Sequence, residues 1–157
     1  MEFRLAEKSD LENVFSLYRS LVGTPFCTWD ENYPDWIEIN EDFAHQNLYI
    51  MEADGALLGA ISVVPQNELD DLPFWTCSQA KEIARVAVAP GQQGKGIGKK
   101  MVEAIIASFT ASCVPAIHLL VAVGNLPAQK LYRNCGFSFL GECPMFGHDF
   151  IACEKLL

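Results

Sequence analysis

The chain is short of positive charge, of histidine and of long apolar runs. Eleven Lys and Arg stand against 20 Asp and Glu, a net charge of −9. Nucleic-acid backbones and anionic membrane surfaces need a basic face, so neither is expected as a partner. A cationic small molecule such as an amine is compatible with this balance, although acidic surfaces also simply keep proteins in solution. No uncharged apolar run reaches the roughly 18 residues of a membrane span. The first residues, MEFRLAEKSDLENV, carry charge throughout and lack the apolar core of a secretory leader, so a cytoplasmic location is expected. The six cysteines (Cys27, Cys77, Cys113, Cys135, Cys143, Cys153) form no C-x-x-C pair and no zinc spacing. No metal is expected, and the thiols should be reduced, with Cys27 and Cys77 in loops where a thiol can react. Half of the 157 residues are apolar, enough for a sizeable core in one domain spanning 1–157.

What the chain does have is concentrated in Val86–Lys100, VAVAPGQQGKGIGKK. A short apolar strand runs through Pro90 into a glycine-rich turn. The turn becomes the start of an amphipathic helix carrying Ile97, Met101, Val102, Ile105, Ile106 and Phe109. Gly94, Gly96 and Gly98 let backbone N–H groups converge without Cβ obstruction. The following helix N-terminus adds unpaired donors and partial positive charge, so the unit reads as an anion cradle for phosphate or diphosphate. A Walker A loop is excluded, because Gly96 is followed by Ile97 and Lys99 by Lys100, leaving no hydroxyl for magnesium. The dinucleotide fingerprint is excluded by the G-x-G-x-G spacing deep in the chain.

A second segment, Ile117–Phe137, reads IHLLVAVGNLPAQKLYRNCGF. An apolar strand ends at Gly124, Asn125 is a natural N-cap, Pro127 suits the first helical turn and Gly136 the stop. Together, Gln93-Gly94-Lys95-Gly96-Ile97-Gly98 (Q/R-x-x-G-x-G/A) and the later Asn125, Ala128, Tyr132 and Gly136-Phe137 resemble the two cofactor motifs of the GCN5-related N-acetyltransferase (GNAT) family.

The rest of the chain follows that family's element order. The pattern predicts a strand at Phe3–Ala6, a helix capped by Ser9 and running to about Val22, and a second helix from Asp35 to His45. A hairpin follows, Leu48–Ala53 and Ala56–Val64, turned at Asp54-Gly55. Then come an acidic loop over Pro65–Thr76, a strand Ala80–Ala89, and, after the second motif, closing strands Phe137–Cys143 and His148–Glu154. The resemblance implies an α/β (α+β) fold: a mixed, twisted central sheet flanked by helices and splayed between the strands ending at Ala89 and Val123.

It also implies acetyl-CoA as co-substrate and transfer of the acetyl group to an amine of a small molecule or peptide. The backbone of Val86, Ala87 and Val88 would pair with the pantetheine arm. Gln93 to Lys99 (Gln93, Gly94, Lys95, Gly96, Ile97, Gly98, Lys99) would hold the diphosphate, with Asn125 and Ala128 completing the site. Tyr132 would protonate the departing thiolate; a phenol stays protonated at neutral pH. Glu82, four residues before Val86, is the candidate base; strict alternation puts it on one face with Ala84, Val86 and Val88. A water chain is the alternative route for that proton. His118 reads as a strand-end or core histidine, and His45 and His148 lack a supporting pattern. Phe26, Trp29, Tyr33 and Trp75 are candidates for the acceptor pocket, with Trp36 and Phe74 nearby and Glu31, Glu68, Asp70 and Asp71 to suit a cation. The sequence leaves the acceptor and the oligomeric state open, and a homodimer is compatible with it. A non-catalytic acyl-CoA-binding module on the same fold is the rival reading, and an acyl-cysteine enzyme finds no supporting spacing.

Overall fold

The computed structural model describes residues 1–64 and 68–157. Its elements are β1 (Glu2–Leu5), α1 (Leu11–Leu21), α2 (Trp36–Ala44), β2 (Leu48–Ala53), β3 (Ala56–Val64), β4 (Lys81–Val88), α3 (Ile97–Ala111), β5 (Ala116–Ala122), α4 (Leu126–Asn134), β6 (Ser138–Met145) and β7 (His148–Leu156). This is the order read from the sequence, and the hairpin strands carry the expected bounds. Asp54 and Gly55 turn that hairpin with φ of 50° and 76°, the backbone a two-residue turn needs. The acidic loop includes residues outside the described ones, 65–67.

One helix start differs from expectation. Ser9 does not cap α1; it lies inside a 3-10 turn over Lys8–Asp10. Asp10 is the residue before α1, and its carboxylate takes the Glu7 N–H at 2.7 Å and the Arg4 guanidinium at 2.8 Å. A capping box between Glu7 and Asp10 starts the helical path before Ser9, so Ser9 is already inside the first turn and not at its cap.

The strands form one sheet, ordered β1-β2-β3-β4-β5-β7-β6. Every pairing is antiparallel except β4 with β5. Ile61, Val63, Ile83, Leu119 and Val121 of the sheet pack with Ile97, Met101 and Ile105 of α3 and Tyr132 of α4. On the opposite face Ile50, Ala60 and Ala87 pack with Val14 and Tyr18 of α1 and Ile39 of α2. No helix among the described residues is long and apolar enough to cross a membrane. All six cysteines are unpaired.

Two features of β4 shape the site. First, it pairs with β5 only at Lys81↔Ile117 and Glu82↔His118. Beyond that point the two parallel strands part, and Ile83–Val88 faces the gap. Second, β4 is bulged. Ala84 pairs with Ser62 but Ala87 with Ala60, so Arg85 and Val86 together face the single Ile61. Arg85 has φ +49°, a left-handed conformation that costs a side-chain-bearing residue about 1–3 kcal/mol. Its guanidinium offsets that cost: Nε and Nη2 donate to the two Asp42 carboxylate oxygens at 2.9 and 2.8 Å, and Nη1 to the Tyr33 hydroxyl at 3.1 Å.

The bulge corrects the expected alternation. Glu82 and Ala84 share the α1/α2 face, since Ala84 lies opposite Ser62, whose hydroxyl donates to Asp42 of α2. Val86 and Val88 instead pack against the α3 side of the core. An extra residue in one strand flips every side chain after it.

Candidate functional site

The glycine turn lies at the end of β4, where the gap opens. Gly94 and Gly96 have φ of 76° and 81°. A Cβ on either would meet nothing within 4 Å, so these positions demand glycine for conformation, and the space above them is open. Gly98 has a different task. It is the second residue of α3 and buried, and a Cβ there would sit 2.8 Å from Leu131 Cδ1. Its smallness lets α3 and α4 approach, and this revises the expectation that all three glycines serve one purpose.

Gly96 is the N-cap of α3, so no side chain caps the helix, and the first turn holds no acidic residue. The first helical bond runs from Lys100 N–H to the Gly96 carbonyl at 3.0 Å. The N–H groups of Ile97, Gly98 and Lys99 therefore leave the helix end unpaired by backbone acceptors among the described residues. Lys95 and Lys99 are exposed beside them, loosely engaged with Gln92 at 3.5 Å and Glu103 at 3.7 Å. Gln93 turns back and donates to the Val88 carbonyl at 3.2 Å, which ties the turn to the strand end. Converging donors, a helix dipole and spare cations make an anion site.

The other wall of the gap is β5 and α4. Asn125 caps α4 by accepting the Ala128 N–H at 3.1 Å. Gln129 binds the carbonyls of Ala122 and Val123 at 3.1 and 2.6 Å and so fastens α4 to the end of β5. Tyr132 projects from α4 into the core, 6% exposed, edge-on to Phe137. Burial pushes its phenol above the usual range, so it carries its proton at neutral pH.

On the α1/α2 face, Glu82 is fully buried. Its neighbour in register, His118, is 2% exposed and lies 2.8 Å from the Glu154 carboxylate through Nε2. Asp42, Arg85, Ser62 and Tyr33 form the polar network described above, one row farther along. Asp70 and Asp71 lie in a short turn of the loop that follows β3.

The candidate pocket aromatics divide. Trp29 packs edge-on to Tyr18, and Trp36 stacks on Phe15, so both belong to the core under α1 and α2. Phe26 is 52% exposed. Tyr33 meets Arg85 at the bulge, and Trp75 lies flat on His118 with ring centroids 3.8 Å apart. Tyr33 thus lies at the β4 bulge and Trp75 over the β5 histidine that pairs in register with Glu82. Sequence reading missed Asp42, Arg85 and Glu154. Arg85 and Asp42 meet only through tertiary packing, and Glu154 sits in a strand without a motif. The one available hint was pairing register, which would have set Glu154 against His118. Among the described residues no group of three or more His, Cys, Asp or Glu is placed to hold a metal ion.

Comparison with known proteins agrees with this geometry. The family model described as "Acetyltransferase (GNAT) family" matches residues 12–137. An L-methionine sulfoximine/L-methionine sulfone acetyltransferase of Pseudomonas aeruginosa is 28% identical over 94% of this chain and 86% of its own length. A spermidine N(1)-acetyltransferase of Vibrio cholerae is 27% identical over 87% of this chain and 78% of its own. Among solved structures, a ribosomal-protein-alanine N-acetyltransferase from Brucella melitensis superposes with a TM-score of 0.80 at 23% identity, covering 100% of both chains. The yncA protein of Salmonella typhimurium, solved with its cofactor acetyl-CoA, gives 0.78 at 20% identity, covering 100% of this chain and 94% of that one.

Proposed function

The chain belongs to the acetyltransferase (GNAT) family, and from that premise we propose that it moves the acetyl group of acetyl-CoA to the primary amine of a small molecule or peptide, acting as one cytoplasmic domain. One observation carries the reading. The gap between β4 and β5 opens beside an unpaired strand edge and ends at an uncapped helix N-terminus flanked by lysines. That is a slot for an extended chain ending in a diphosphate.

The residues present fit acetyl-CoA. The cradle over Gly94 and Gly96 is open and offers the N–H groups of Ile97, Gly98 and Lys99, with Lys95 and Lys99 at its rim. The backbone of Val86–Val88 offers amide-pairing groups along the gap, and Asn125 with Ala128 shapes the facing wall. When bound, acetyl-CoA supplies an activated thioester carbonyl. A backbone N–H of β4 supports the carbonyl oxygen as negative charge builds on it. Tyr132, kept protonated by burial, gives its proton to the leaving sulfur. The acceptor must lose a proton, and Glu82 is the carboxylate nearest the root of the gap. The polar residues at the bulge hold that stretch of β4 rigid, since positioning of nucleophile and carbonyl is worth several kcal/mol.

The named acceptors of the two relatives, an amino-acid sulfone or sulfoximine and a polyamine, both carry primary amines, which supports an amine acceptor here. A thiol-release screen tests the proposal, using acetyl-CoA with L-methionine sulfone, spermidine, free amino acids, aminoglycosides and peptide N-termini. Release that depends on an amine, with the acetylated amine found by mass spectrometry, is expected. CoA binding without turnover on any amine would favour the non-catalytic module.

A further inference from the structure

One cross-strand row on the α1/α2 face holds Glu82 of β4, His118 of β5 and Glu154 of β7, each the register partner of the next. They are 0%, 2% and 4% exposed. Glu154 is held as an anion. Burial pushes its carboxyl up, but hydrogen bonds from the Thr76 hydroxyl, the Cys77 N–H and His118 bring it below the usual range. The Thr76 and Cys77 N–H groups each reach its Oε2 at 3.1 Å. An ionised carboxylate only accepts, so His118 Nε2 must be the donor of the 2.8 Å bond. That fixes the tautomer of the neutral ring and leaves the lone pair on Nδ1.

Nδ1 of His118 is buried and has no hydrogen-bond partner among the described residues. Trp75 lies flat on the ring and is anchored by its own Nε1–H to the Leu69 carbonyl at 2.7 Å, so the ring is clamped in this orientation. An imidazole held by a carboxylate at one nitrogen, with the other nitrogen free, is arranged as a proton acceptor. Glu82 is the register partner of His118 on the adjacent strand, about 4.8 Å away, and in this arrangement no hydrogen bond joins its carboxylate to Nδ1. Among the described residues, the neighbouring Arg85, Asp42, Lys81 and Cys77 are engaged away from Nδ1. Arg85 and Asp42 pair with each other, Lys81 lies over the Phe109 ring on the α3 face, and the Cys77 thiol donates to the Gln79 carbonyl.

We propose that His118, oriented by Glu154, is the proton-holding residue behind Glu82. The inference rests on Glu82 being the base. Glu82 takes a proton from the acceptor nitrogen, and Nδ1 of His118 takes it on, so an imidazolium forms between two carboxylates while Glu82 returns to its ionised state. When product leaves, the proton goes back through Glu82 to water in the opened gap. His118 touches no substrate, so it is a positioning residue, acting through Glu82.

The test uses His118→Gln, Glu82→Gln and the double variant, with acetyl-CoA and the fastest amine from the screen. His118→Gln should lower kcat by about tenfold or more with the amine KM changed less than about threefold. It should also remove from the kcat/KM pH profile the same ionisation that Glu82→Gln removes, and the double variant should be no slower than the slower single. A wild-type profile in His118→Gln, or losses that multiply in the double variant, would overturn the inference. If Glu82→Gln leaves the profile unchanged, the base assignment itself fails. An acceptor-free arm covers a variant that does not fold: imidazole 15N NMR of the wild-type protein and Glu82→Gln. Neutral His118 should be the Nε2–H tautomer, and Glu82→Gln should shift its Nδ1 resonance, because the carboxylate next to that nitrogen is lost. An Nδ1 resonance indifferent to Glu82, or an Nδ1–H tautomer, would also overturn it.

Discussion

Replacing Gly96 and Gly98 one at a time by alanine should separate two tasks that the sequence presents as one. At Gly96 the added Cβ meets no atom, but the residue sits at φ +81°. Holding alanine in that left-handed conformation costs about 1–2 kcal/mol. The turn escapes that cost by relaxing toward negative φ, and the N–H groups of α3 then lose their convergence. Losing even one charge-assisted bond of about 1.5 kcal/mol weakens CoA binding by about tenfold. At Gly98 the backbone is ordinary helix. The added methyl would lie 2.8 Å from Leu131 Cδ1, the end of a side chain that can rotate away, so stability should fall by about 1 kcal/mol. The cradle donors would be untouched. Calorimetric titration with CoA, paired with urea unfolding, reads both effects. The expected pattern is a Gly96→Ala protein with at least about tenfold weaker CoA binding and a Gly98→Ala protein within about threefold of wild type. Equal CoA affinity in wild type and a folded Gly96→Ala protein would refute the cradle.

Other expectations follow from the same geometry. Tyr132→Phe should lower kcat by about 10²–10⁴ with CoA affinity unchanged, and the wild-type rate should show no loss from phenol ionisation up to about pH 10, since burial raises that group. Glu154, whose pKa is depressed by its hydrogen bonds, contributes stability present above the unfolded carboxyl pKa of about 4.3 and lost as pH falls through the lower folded value. Glu154→Gln should therefore be less stable at pH 7 and should flatten the acid limb of a stability–pH curve; an unchanged slope below pH 5 would contradict this. Arg85→Gln strands the Asp42 carboxylate, 5% exposed, and should cost about 3–5 kcal/mol in urea unfolding, whereas a loss below about 1 kcal/mol would show that the bulge does not depend on the pair.

The legible parts of this protein were those written in local chemistry. Glycines that take positive φ, an asparagine cap and a proline in the first turn of α4 each act within a few residues, so the cradle and its facing helix could be read directly. The order of elements followed from periodicity. The bulge could not be read this way. Arginine is not a residue that marks a left-handed position, and what holds Arg85 there is Asp42, distant in sequence and brought close by α2. One unforeseen residue in β4 then moved Val86 and Val88 to the opposite face from Glu82. The partnership of His118 with Glu154 was hidden for the same reason, because cross-strand register is a tertiary property. Trp29, Tyr33 and Trp36 show the limit for aromatics: they lie close together in sequence across the loop and the start of α2, and only packing separated core rings from the ring at the bulge.

The central claim is that the slot between β4 and β5 binds acetyl-CoA and delivers its acetyl group to an amine. It is tested most directly by following, in one reaction, CoA thiol released and amine acetylated over time. The account predicts one acetylated amine for each thiol released, release that stops when the amine is omitted, and a fall of about fivefold or more in both signals in Gly96→Ala at acetyl-CoA concentrations near the wild-type Kd. Thiol release at the same rate without any amine, or saturable CoA binding with neither signal across the whole panel, would contradict it.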